Sequence, residues 1–159
     1  MRPVTRGKGE RGLTLVELIV AFTILSMLTS MAVPLARYRV RRDKERELRY
    51  CLREIRKAVD DYKDASLTGK IETKIGTEGY PESIEQLVEG VKLLQSAEGK
   101  KVKFLRRIPK DPMTGTFDWG KRSMQDDPKS QSWGGQNVFD VFTKSTERAR
   151  DGTPYSEWN

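Results

Sequence analysis

Histidine is absent from this chain of 159 residues, and cysteine occurs once, at position 51. Without imidazole, the common His-based acid/base relays and zinc chemistries are excluded. A single thiol closes no intramolecular disulfide, and no cysteine motif for a metal or redox centre exists. The fold must therefore be held by burial and hydrogen bonds, or by a metal, in whichever compartment it occupies. Basic residues outnumber acidic ones, 30 Lys and Arg against 23 Asp and Glu, but they do not form the continuous patch that a phosphate backbone needs. Through the middle of the chain the two signs interleave, as on a solvated helix face, so nucleic acid is not an expected partner. No catalytic constellation emerges either, and the chain is not expected to be an enzyme.

What is present is concentrated at the amino terminus. Residues 1–12 hold Arg2, Arg6, Lys8 and Arg11 against Glu10 alone, so removing four cations and one acid would take the net charge from +7 to +4. From Leu13 to Ala36 the sequence then runs for 24 residues with Glu17 as its only charge. As a helix this stretch would reach about 36 Å at ~1.5 Å per residue, against a hydrocarbon core of about 30 Å. The basic leader places the amino terminus on the cytoplasmic side by the positive-inside rule, although Arg37 to Arg42 makes the far flank basic as well. An ordinary secretory signal has a shorter apolar region followed by its small-residue cleavage site. Here the small residue, Gly12, comes first, and the apolar run continues into further helix.

The segment Arg11-Gly12-Leu13-Thr14-Leu15-Val16-Glu17 resembles the cleavage and methylation site of type IV prepilins and type II secretion pseudopilins. That resemblance implies that a membrane aspartyl prepilin peptidase cuts between Gly12 and Leu13 and methylates the new amino group. Leu13 stands where Phe is usual. Glu17 also acquires a reason for existing. A carboxylate within an apolar span costs on the order of a few kcal/mol and usually has a partner, or else snorkels to the interface. The family implies a partner, the Leu13 amine of a neighbouring subunit during assembly. Pro34, near the far end of the run, removes a backbone donor and disfavours helix at Val33, so a helix break is expected there.

Beyond the span, Arg41 to Glu47 is an unbroken charged run, followed by Leu48, Cys51, Leu52, Ile55, Ala58, Val59 and Tyr62 at spacings of three and four. That pattern is an amphipathic helix with one apolar stripe, and Glu45 with Arg49 supports it as an acid-first pair four apart. A single helix from Leu13 to about Ala65 is expected, ending in the linker marked by Gly69, Gly76, Gly79 and Pro81. Ser83 before Ile84-Glu85-Gln86-Leu87-Val88 predicts a short capped helix closed by Gly90. Strands are expected at Lys101–Leu105, around Phe117 and Trp119, and at Asn137–Thr143, with Ile108 to Gly115 a turn. Trp119, Trp133 and Trp158 read as packing residues. The fold class is thus α+β, a long amino-terminal helix packed by its stripe on a small antiparallel sheet.

Leu105-Arg106-Arg107-Ile108-Pro109-Lys110-Asp111-Pro112, Trp119-Gly120 and Asn137-Val138-Phe139-Asp140-Val141 resemble the major pseudopilins of type II secretion systems. The resemblance implies a pilin-like layout: leader 1–12, transmembrane and assembly helix 13–36, amphipathic continuation 37–66 and periplasmic globular domain 67–159. It implies an inner-membrane, single-pass subunit that polymerises with itself, meets minor pseudopilins and an assembly platform, and forms a periplasmic pseudopilus for protein export. It also implies calcium near the carboxyl end, bound by carboxylates and carbonyls. Asp140 and Asp151, with carbonyls near Phe142 and Ser145, are the candidate ligands, with Glu147 a further one, although the family's dense acidic cluster is absent. Two other readings stay open, a major or minor type IV pilin and a non-polymerising bitopic anchor protein. The lone cysteine disfavours the disulfide-closed loop usual in major pilins, and Glu17 argues against the simple anchor.

Overall fold

The computed structural model describes Gly12 and residues 14–94 and 99–158. It divides into two compact units, Met1–Arg41 and Arg42–Asn159. One helix, α1, covers Leu15–Leu67 and supplies elements to both. In the first unit its large apolar side chains, among them Leu15, Ile19, Phe22, Leu25 and Leu28, are exposed on every face, and none of the apolar window is buried within the chain. A helix that is apolar all round needs a non-aqueous surrounding. Three of its hydroxyls comply with that demand: Thr23 donates to the Ile19 carbonyl, Thr29 to that of Leu25 and Ser30 to that of Met27, so each of these donors is satisfied within the helix. Leu15 to Ala36 spans about 33 Å at ~1.5 Å per residue, enough to cross a membrane.

The break expected at Pro34 is not present in the single chain, where α1 runs through it without interruption. Proline removes one amide donor and crowds one carbonyl; the helical bonds on either side are retained, and the helix carries the single loss. At its far end α1 stops two residues later than Ala65. The Lys70 N–H reaches the Ala65 carbonyl and the Gly69 N–H that of Ser66, both at 3.0 Å, with Gly69 at φ +63°. This is the paired-bond glycine stop of a helix, and the left-handed backbone is why a glycine stands there.

In the second unit the stripe from Leu48 to Tyr62 is buried at all seven expected positions. It forms one core with Ile71, Ile84, Leu87, Leu105, Trp119, Val138, Val141 and Tyr155. Helix α2, Ile84–Glu89, is capped as predicted: Ser83 Oγ accepts the Gln86 N–H at 3.3 Å, and Gly90 ends it. Its Leu87 carbonyl accepts the N–H groups of both Phe104 and Leu105.

The expected single sheet is instead two separate antiparallel pairs: β1 (Val91–Lys92) with β2 (Lys101–Val102), and β3 (Gly120–Arg122) with β4 (Asp140–Phe142). The reason lies in where the amides go. Phe104 and Leu105 spend theirs on α2, cutting β2 short, and Val138 spends its N–H on the Pro81 carbonyl. The middle strand follows Trp119 rather than containing it; the Trp119 indole N–H donates to the Pro109 carbonyl at 2.9 Å, and Phe117 remains exposed. Gly120 opposes Phe142 across β3 and β4, and a Cβ there would lie 2.4 Å from the Phe142 ring. The ring therefore occupies the place of the missing side chain.

Leu52 is fully buried, so Leu52→Ala should destabilise the second unit by about 2–5 kcal/mol. Tyr50→Ala on the exposed side of the same helix should stay within about 0.5 kcal/mol of the parent. Urea unfolding of the purified chain followed by tryptophan fluorescence checks both, and equal losses would contradict the assignment of the stripe.

Candidate functional site

The amino-terminal site is built on the first turn of α1. Gly12 is exposed, and a side chain there would meet nothing within 4 Å, which leaves the backbone open to a protease. Leu13, the residue expected to become the new terminus, lies outside the described residues, as do the leader residues 1–11. Thr14 is the helix cap. Its Oγ1 accepts the Glu17 N–H at 3.3 Å, and its carbonyl accepts the Leu18 N–H at 3.1 Å. Thr14 and Glu17 thus stand three apart in the pattern of a capping box, a signal that was legible in the sequence. A carboxylate in the first turn also faces the positive end of the helix dipole. The arrangement places one acid at the entrance of an apolar helix, four residues in sequence after Leu13.

Residues 7–33 match the family described as the prokaryotic N-terminal methylation motif. The amino-terminal segment carries the motif of type IV pilin-like prepilins, the substrates of prepilin peptidase. The matched stretch contains Gly12, Leu13 and Glu17 and ends one residue before Pro34. No curated protein and no solved structure matched the chain.

At the carboxyl end, Asp140, one of the residues expected to hold calcium, is engaged otherwise. It stands on β4 and is bonded through both oxygens: Oδ1 accepts from Arg56 Nε at 2.7 Å and Oδ2 from Arg122 Nη1 at 3.1 Å. Arg56 stands on α1, and its Nη2 also donates to the carbonyls of Val141 and Trp158 at 3.1 and 3.2 Å. Arg122, on β3, gives Nε to Ser130 O at 2.7 Å and Nη2 to Ser156 O at 3.2 Å. Its guanidinium also lies 4.1 Å from the centre of the Phe142 ring. Asp151 takes the Thr153 N–H on Oδ1 at 3.0 Å, and that backbone bond holds its carboxyl below the usual range. Ser145 Oγ accepts the Glu147 N–H. The cleft that holds Phe142 and Ser145, about 420 Å³, is lined by Lys144 and Arg148 with hydroxyls and no carboxylate. Among the described residues, no three of Asp, Glu, His or Cys converge in a way that could hold a metal ion. The donor set does not fit a hard dication, which needs several free oxygens and little competing positive charge.

Two further features were not foreseen as contributors. Asp111, fully buried in the turn after Pro109, accepts from the Met113 N–H and from the hydroxyls of Thr114 and Thr143, so its carboxylate ties that turn to the end of β4. The aromatic residues of the carboxyl-terminal 3-10 turn, Tyr155–Glu157, and the residue after it reach back to α1. The Tyr155 hydroxyl donates to Glu45 at 2.8 Å, and Arg49 stacks 4.2 Å over Trp158. Trp133 likewise packs as an ordinary surface residue, with Lys121 4.1 Å above its ring and its indole N–H on the Asn137 carbonyl.

The lone thiol belongs to the core. Cys51 is buried on the stripe, with the Lys110 carbonyl 3.8 Å from its sulfur. Burial first, then the nearby Glu47, Glu54 and Asp111, push its pKa from 9.0 up to about 11. The folded thiol keeps its proton to higher pH than the unfolded one. Its contribution to stability is therefore whole below pH 9 and is lost as the pH rises through about 11. Iodoacetamide at pH 8 should accordingly alkylate Cys51 far more slowly in the folded chain than in urea; equal rates would contradict the burial.

Proposed function

We propose that the chain is a non-enzymatic structural subunit of the pseudopilin kind. Prepilin peptidase cuts it after Gly12, one helix holds it in the inner membrane with the second unit in the periplasm, and copies assemble into the pseudopilus of a type II secretion system. The observation that carries this reading is the placement of Glu17. It is the only charge between Leu13 and Ala36, it is exposed, and it lies in the first turn of a helix otherwise clothed in apolar side chains. Cutting after Gly12 would create an ammonium on Leu13, four residues before that carboxylate in sequence. Each subunit then carries one acid and one amine at the head of an apolar rod, and pairing the acid of one copy with the amine of the next removes the cost of holding either charge in lipid. The apolar faces supply the rest, since helices that expose Leu, Ile, Phe and Val all round pack equally well against lipid or one another.

The choice of a secretion pseudopilus over a type IV pilus rests on the single cysteine, which cannot close the carboxyl-terminal disulfide usual in major pilins, and on the sequence resemblance of the carboxyl half. In this reading the subunit's partners are copies of itself, minor pseudopilins, the peptidase and the inner-membrane assembly platform, and its work is mechanical.

Mass spectrometry of the protein extracted from membranes of a host with active prepilin peptidase should find a new terminus at Leu13 carrying a methyl group. A chain still beginning at Met1 in that host would overturn the proposal. Glu17→Ala should be cut normally yet fail to crosslink into multimers, and normal multimers from this variant would favour a simple membrane anchor.

A further inference from the structure

The carboxyl-terminal segment of the second unit has no disulfide to hold it, and among the described residues no three acids are placed to hold a metal ion there. Six oxygen atoms do converge there, around two guanidinium groups: both carboxylate oxygens of Asp140 and the carbonyl oxygens of Ser130, Val141, Ser156 and Trp158. They come from β4, from the loop before it and from the final turn of the chain, and the guanidiniums that collect them project from α1 and β3. A carboxylate together with several carbonyls drawn from separate stretches of a loop is the ligand set a calcium ion takes, six to eight oxygens about one dication. Two arginines carry the same total charge. Each also spreads several donors in a fixed plane, so one guanidinium can serve a carboxylate and two carbonyls at once.

We infer that the Arg56–Asp140–Arg122 cluster does for this chain what a bound divalent cation would do, fastening the carboxyl-terminal segment to α1 and β3, and that the fold of the second unit is consequently independent of calcium. The two readings exclude each other at Asp140. Both of its oxygens are occupied by guanidiniums, at 2.7 and 3.1 Å, and a calcium ion would have to displace them. Burial makes the clamp effective, since the Arg122 side chain is 7% exposed and those of Arg56 and Asp140 are about a quarter exposed. At such a site, removing Asp140 leaves two guanidiniums without their carboxylate, and removing either arginine leaves carbonyl oxygens without their donor.

The test uses the full chain in detergent, with thermal unfolding read by near-ultraviolet circular dichroism and tryptophan fluorescence in millimolar calcium or in EDTA. The expected midpoint is the same in both. Arg56→Gln and Asp140→Asn should each lower it by about 5–10 °C. Arg122→Lys should also fall below the parent, because an ammonium retains the charge but cannot reach the carboxylate and both carbonyls together. Should a variant fail to fold, hydrogen exchange of the unaltered chain decides. Amides of residues 153–158 equally protected with and without calcium support the clamp. A midpoint or a protection pattern that rises with calcium, or arginine variants as stable as the parent, would overturn it.

Discussion

Burial of one apolar stripe, Leu48 to Tyr62, against residues drawn from almost the whole of the following sequence is the interaction on which the second unit depends. The stripe presents side chains at spacings of three and four, so a helix is the one regular backbone that brings all of them to a single face. Once that face exists, Leu87 of α2, Leu105, Trp119 and Tyr155 have a common surface to cover. The short strands are then a consequence and not a cause. Pairs of two and three residues contribute few ladder bonds, and Val141, the β4 side chain that enters the cluster, counts chiefly as an addition to the same core.

A core of this kind does not by itself hold a chain end that carries few apolar residues, and polar interactions take over there. Asp111 ties the Pro109 turn to Thr143, Asp140 is gripped from both sides by arginines, and Tyr155 and Trp158 return to Glu45 and Arg49 on α1. None of these leaves a described buried side-chain polar atom without a partner. The logic is consistent with the single thiol. Where no crosslink closes the loop, donors and acceptors with exact geometry must fix it, and arginine supplies more of them per residue than any other side chain.

How much of this was legible in the sequence follows from the range of each interaction. The stripe was readable residue by residue because its periodicity is local, and so were the Ser83 cap, the Gly90 stop and the single charge at Glu17. The Thr14 cap obeyed an equally local rule. The strands were readable only in outline. Lys101 to Leu105 alternates well, but whether Phe104 donates to a strand or to Leu87 is settled by tertiary packing. The arginine clamp was hidden for a stronger reason, since Arg56 and Asp140 are 84 residues apart and nothing in the neighbourhood of either marks it as the other's partner. Asp140 was picked out as an acid in need of a cation; the cation came from within the chain.

The same electrostatic problem occurs at both ends with opposite resources. Each end sets a carboxylate where water is scarce or competed for, and each carboxylate must find positive charge. At Asp140 the fold delivers two guanidiniums. At Glu17 it cannot, because the helix between Leu13 and Ala36 contains no basic residue, and Arg11 would leave with the leader if the chain is cut after Gly12. On the proposed reading, the cut that removes the nearby arginine is also the event that makes an ammonium at Leu13. A subunit carrying both, four residues apart in sequence where an apolar helix begins, has a reason to stack on its own kind that a plain membrane anchor lacks.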